Sequence, residues 1–116
     1  MSIRSKIEEL SRELPEGVTL VAVSKTHPVE AISEAYDAGQ RIFGESRPQE
    51  LKSKYDAMPK DIRWHMIGNI QTNKVKYIAP FVGLIHSVDN SRLLEVINKE
   101  GGKNNRRINV LLEVHI

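Results

Sequence analysis

The chain has 116 residues, 40% hydrophobic and 28% charged, the balance of one ordinary globular domain. Its 17 Lys and Arg against 15 Asp and Glu leave a net charge of +2, dispersed except for a small cluster at Lys103, Arg106 and Arg107, which does not support a nucleic-acid partner. Cysteine is absent, excluding disulfides and thiolate metal sites, and no apolar run nears the roughly 18 residues of a membrane span, so a cytoplasmic protein without a membrane partner is expected.

Hydrophobic periodicity predicts alternating helices and strands. A leading helix over 2–14 carries Ile3, Ile7, Leu10 and Leu14 at helical spacing and ends at Pro15, Glu16 and Gly17. Strand one, 18–23, is apolar on both faces except for Thr19, which suits a parallel sheet covered by helices. A second helix begins at Pro28, buries Ile32, Ala35 and Tyr36, and stops at Gly39. Ile42 and Phe43 form a very short strand, after which Ser46 is expected to cap a helix with Gln49 as its capping-box partner. That helix buries Leu51, Tyr55 and Met58 and ends at Pro59. Strand three is 62–67, Gly68 and Asn69 turn the chain, and a helix through Val75 and Ile78 ends before Pro80. Strand four is 82–88, Asp89 caps a helix carrying Leu93, Leu94, Val96 and Ile97, and Gly101 and Gly102 close it. Strand five is 108–114.

Strands that start about 20 to 25 residues apart are a compact version of the repeat of a (β/α)8 barrel. No Gly-x-Gly-x-x-Gly follows a strand, so a dinucleotide-binding sheet has no support. The reading is therefore α/β, a partial (β/α)8 TIM barrel ending at strand five. The segment "INVLLEVHI" stops within or at the end of a strand, and an open strand edge invites association. A fragment of a longer protein is expected, or a homodimer whose second copy covers the open edges.

Functional groups of parallel barrels collect at the C-terminal ends of the strands. There stand Ser24, Lys25, Thr26 and His27; Glu45, Ser46 and Arg47; His65, Asn69 and Gln71; His86, Ser87, Asp89 and Asn90; and His115. Lys25 admits two readings. An amine desolvated at an apolar mouth attacks carbonyl carbon and forms a Schiff base, whereas a lysine whose stem packs on the strand carries its head to water. His65, His86 and His115 fall late on successive strands and could ligate a metal, but they lack the paired spacing of metal sites and equally suit structural roles. "GNIQTNKVK", 68–76, reads as a helix start that could receive an anion or as a plain helix start with a solvated basic face at Lys74 and Lys76, and the two are compatible. Trp64 reads as core volume.

Three stretches, "AVSKTHPVEAISEAYDAGQRIFGESRPQEL", "IRWHMIGNIQTNKVKYIAPFVGLIHSVDNSRLLEVIN" and "INVLLEVHI", keep one order and together resemble the pyridoxal-phosphate homeostasis (YggS, or proline synthase co-transcribed) family. The resemblance implies a barrel of the alanine racemase N-terminal-domain type over 1–116, with pyridoxal 5′-phosphate (PLP) held as a Schiff base on the lysine of "AVSK", Lys25. It implies cofactor contacts at Ser46, His65 and Asn69, and a role in buffering PLP or delivering it to PLP-accepting enzymes, without established turnover. The alternatives are a racemase-like enzyme, or a chain without cofactor that serves as a scaffold or swapped dimer. The family has "GENxxQE" where this chain has "GESRPQE", so a hydroxyl at Ser46 replaces an amide. Its phosphate-binding loops belong to the C-terminal half of the barrel, so the expected chain carries the lysine without the phosphate grip.

Overall fold

The computed structural model describes residues 2–116. Helix α1 (Ile3–Glu13) is followed by strand β1 (Ala22–Val23), α2 (Val29–Asp37), β2 (Ile42–Glu45), α3 (Pro48–Ala57) and β3 (Arg63–Met66). A 3-10 turn, Thr72–Lys74, leads into the short α4 (Val75–Ile78), and β4 (Leu84–Val88), α5 (Ser91–Lys103) and β5 (Val110–Leu112) complete the chain. The five strands are all parallel and pair in the order β1-β2-β3-β4-β5. That order never doubles back, as a doubly wound sheet must, so it is the wall of a barrel.

The strands alternate between two unlike faces. Trp64 and Met66 of β3, Phe43 of β2 and Ile85 of β4 are buried against Ile32 and Ala35 of α2, Leu51 of α3, Ile78 of α4 and Ile97 of α5. Burying a Leu or Phe in such a layer contributes about 1.5–3 kcal/mol, so the helix side of the sheet is the stabilising core. Residues between them face the other way. A Cβ placed on Gly44 would come 2.9 Å from Ile67 and 3.4 Å from Val21, which puts these three on the face opposite the helices.

Local chemistry explains most element ends. Ser2 caps α1 by accepting the Ser5 N–H, Pro28 precedes α2, and Gly39, with φ of 105°, occupies the left-handed position beyond its end. Other expectations need correction. Strand β1 has two paired residues, because only Ala22 and Val23 meet β2 and the other edge is free. Its expected burial on both faces fails, Val23 being 54% exposed, because helices cover one side alone. Strand β2 is longer than expected and includes Gly44 and Glu45. Helix α3 starts with Pro48 at its first position, so Arg47 precedes it and Ser46 does not cap it. Asn90, not Asp89, caps α5, its Oδ1 accepting the Leu93 N–H at 2.8 Å. Helix α5 runs through Gly101 and Gly102; a Cβ at Gly101 would lie 2.9 Å from Arg106 O, so glycine is needed there for close approach and not to stop the helix. Arg106 in turn donates to Ala79 O and Val82 O at 2.6 and 2.8 Å, which ties the approach to β5 against the loop after α4. No helix among the described residues is long and apolar enough to cross a membrane.

Candidate cofactor site

Lys25 stands at the tip of a four-residue turn that ends β1. The turn closes with the His27 N–H donated to Ser24 O at 3.1 Å. Thr26 sits at the third position with φ of 65°, the left-handed region that a type II turn requires there and that β-branched residues rarely occupy. The Ser24 N–H donates to Gly44 O at 2.9 Å and so continues the β1–β2 ladder. The Ser24 hydroxyl turns to the helix side and donates to Glu45 Oε2, while Lys25, the next residue, lies in the turn. Lys25 is exposed, so of the two readings open from its spacing the structure shows the lysine whose head reaches water.

Beneath the turn lies a charged cluster that periodicity did not reveal. Lys54 of α3 has a side chain only 7% exposed, and its Nζ donates to both carboxylate oxygens of the fully buried Glu45, at 3.0 and 2.9 Å. It also reaches Glu50 Oε1 at 2.8 Å and Ser24 O at 3.0 Å. Glu50 Oε1 accepts the Thr26 N–H at 3.2 Å. The Glu50 carboxyl is held below its ordinary pKa, first by the Lys54 hydrogen bond, against some desolvation, and further by the Thr26 amide and the nearby Arg47 charge. Removing one member of a buried pair such as Glu45–Lys54 costs about 3–5 kcal/mol, since the other charge stays buried alone. The pair is thus a firm strut between β2 and α3. Its signal was in the sequence as a Glu50–Lys54 spacing of four with the acid first. Lys54 takes the buried position three residues after Leu51, while Tyr55, expected in the core, is half-buried and stacks on Phe81 with ring centroids 3.9 Å apart.

The open face carries the other polar groups. His65 pairs laterally with Gly44, which itself pairs with Val23, so all three lie on the same side of the sheet. His86 Nε2 comes within 3.2 Å of His65 Nδ1, one ring nitrogen donating and the other accepting. Both imidazoles are held below the ordinary histidine value: His65 by burial first, then by His86 and Arg63, and His86 by burial. His115 does not join them; it is exposed and lies 3.5 Å from Asp89 and 3.6 Å from Glu113. No group of three or more metal-ligating side chains occurs among the described residues. Ser46 is half-buried, and a Cβ on Gly68 would lie 3.0 Å from its Cβ, so the loops after β2 and β3 touch there and glycine permits it. Asn69, next in the second loop, is exposed. The helix after that loop opens as the 3-10 turn Thr72–Lys74 and continues as the single α turn Val75–Ile78. Trp64 is buried in the core, as expected.

The described residues thus show an exposed primary amine at the end of β1 and, on one face of the sheet, a half-buried pair of hydrogen-bonded imidazoles. The protein-family model described as "Alanine racemase, N-terminal domain" matches residues 1–116, and the chain belongs to that family. Among curated proteins it is similar to pyridoxal phosphate homeostasis proteins. It is 47% identical to that of Aquifex aeolicus over 84% of this chain and 43% of the relative. It is 41% identical to that of Schizosaccharomyces pombe over 97% of this chain and 48% of the relative. Among solved structures it superposes on PipY of Synechococcus elongatus PCC7942 with PLP bound, at TM-score 0.91 and 40% identity, over 99% of this chain and 55% of PipY. The same protein without PLP gives TM-score 0.93 and 39% identity, over 99% of this chain and 54% of PipY. Alanine racemase from E. faecalis, at 19% identity and TM-score 0.71 over 84% of this chain and 27% of that one, shares the fold. The chain spans about half the length of the curated relatives it matches.

The lowered histidine values predict a pH dependence of stability. Between each folded value and the ordinary 6.5 the unfolded chain holds more protons, so stability is full above about pH 6.5 and declines as pH falls through it. Urea midpoints are expected to fall between about pH 7.5 and 5.5, a window above the titration of Glu50, and the fall should shrink in the double variant His65→Gln, His86→Gln. An equal fall in the double variant would show that this pair is not its source.

Proposed function

We propose that the chain is the lysine-bearing portion, 1–116, of a PLP-binding barrel that serves intracellular PLP homeostasis, with the cofactor held as a Schiff base through Lys25. The observation that carries this reading is the superposition on PLP-bound PipY, taken with the place of Lys25 at the exposed tip of the β1 turn. The residues fit the aldehyde and ring end of the cofactor. Lys25 offers an accessible amine, His65 offers a neutral, half-buried imidazole on the open face, and Ser46 and Asn69 stand on two adjoining loops. When bound, PLP supplies an electrophilic carbonyl carbon and an electron-withdrawing ring. The chain's own part is to present the amine, bound covalently yet exchangeable with the amine of a recipient, and to flank it with groups that orient the ring. Delivery of PLP to accepting enzymes in the cytoplasm completes the reading, which the absence of cysteine suits.

A second reading concerns self-association. Both outer strands expose apolar side chains, Val23 at 54% and Leu112 at 65%, as does Val114, just beyond β5, at 78%. Free parallel strands of this composition favour pairing with another chain, and we propose a homodimer that covers them. Sedimentation equilibrium is expected to give twice the chain mass, and a soluble monomer at high concentration would refute the dimer.

For the cofactor, incubation with PLP followed by borohydride reduction and peptide mapping should place the pyridoxyl group on Lys25, and Lys25→Ala should remove it. Because the phosphate grip is proposed to lie in the other half of the barrel, 5′-deoxypyridoxal should label Lys25 at a comparable rate. Labelling scattered over surface lysines, or none, would contradict the assignment. Racemisation of L-alanine by the PLP-loaded chain would favour the enzyme alternative over the carrier.

A further inference from the structure

The two residues that flank Lys25 are both held by the same helix. Ser24 O accepts Lys54 Nζ at 3.0 Å as well as the His27 N–H, and the Thr26 N–H is accepted by Glu50 at 3.2 Å. Lys54 and Glu50 are one turn apart on α3 and bonded to each other at 2.8 Å, while the buried Glu45 fixes Lys54 from β2 at 2.9 and 3.0 Å. The clamp therefore grips backbone atoms on either side of Lys25 and leaves the lysine exposed. What it grips is a strained conformation. Thr26 at φ of 65° would relax out of the left-handed region if nothing held its amide, and the turn would open. A structural salt bridge would equally well have packed elsewhere on α3; this one ends on the turn that carries the amine.

We infer that Glu50 and Lys54 are positioning residues for Lys25, holding the Ser24–His27 turn in the left-handed geometry that fixes where the lysine amine stands. This rests on the reading of Lys25 as the cofactor lysine, and it adds to that reading which groups set its position. Neither residue needs to touch the cofactor. Their charge is directed at the carbonyl of Ser24 and the amide of Thr26, and a glycine at position 26 would hold the same turn without them, since glycine enters the left-handed region freely.

Glu50 is the residue to alter, because its side chain is 28% exposed and its loss does not strand the buried Glu45–Lys54 pair. In the full chain, Glu50→Ala is expected to speed hydrogen exchange of the Thr26 amide, and to slow PLP labelling of Lys25, each by about ten-fold, the size of one lost charge-assisted hydrogen bond. Glu50→Gln, whose amide oxygen still accepts from Thr26, should keep most of the labelling rate. Thr26→Gly combined with Glu50→Ala should restore it, a rescue that a purely global stabilising role would not give. Unchanged Thr26 exchange in Glu50→Ala overturns the inference, as does labelling that is unchanged or that the glycine fails to restore. If PLP does not label Lys25 in the unaltered chain, the cofactor reading falls, and the exchange result alone then decides the clamp.

Discussion

A slip of one residue between β1 and β2 would exchange Ser24 and Lys25 between the two faces of the sheet. The rest of the structure depends on that slip being forbidden. Two interactions forbid it: the Ser24 N–H bonded to Gly44 O continues the ladder, and the Ser24 hydroxyl bonded to the buried Glu45 has no equivalent if lysine takes its place. Apolar packing reinforces the register from below, since Phe43, Trp64 and Ile85 must all face the helices together. With Ser24 committed to the covered face, Lys25 is left exposed at the turn.

The two faces divide the work of the chain. The helix side holds the core and the Glu45–Lys54 strut, while the open side holds Gly44, His65 and His86. Gly44 leaves space on that face, occupied at its edge by Ile67 and Val21. In a closed barrel the open side is the interior. Groups that are half-buried here, such as the histidine pair, would lie at the mouth of such an interior, near the strand ends where ligands of these folds bind.

Much of this arrangement was legible in the residues. Pro28 and Gly39 bracket α2 by backbone rules that hold whatever the tertiary context, and the βα rhythm follows from five separate apolar runs, whereas the unreversed strand order was expected only because no Gly-x-Gly-x-x-Gly follows a strand. Lys25 was legible as a cation terminating one of those runs. Strand lengths were not, because a strand is defined by its neighbour: β1 shrinks to the two residues that β2 meets. Capping by Ser46 failed because Pro48 takes the first helical position and shifts the start by one residue. Lys54 was hidden by its charge. A lysine beside an apolar stripe reads as solvated, and only the tertiary placement of Glu45, itself expected in a loop, gives it a buried partner.

The central claim is the role proposed for Lys25, exposed at the tip of the β1 turn, as the lysine that holds the cofactor. A crystal of the chain soaked with PLP tests it most directly. The account predicts electron density running without a break from Lys25 Nζ to the ligand, with the ring over the face that bears Gly44 and His65. Density on a different lysine, or on the helix side of the sheet, would contradict it.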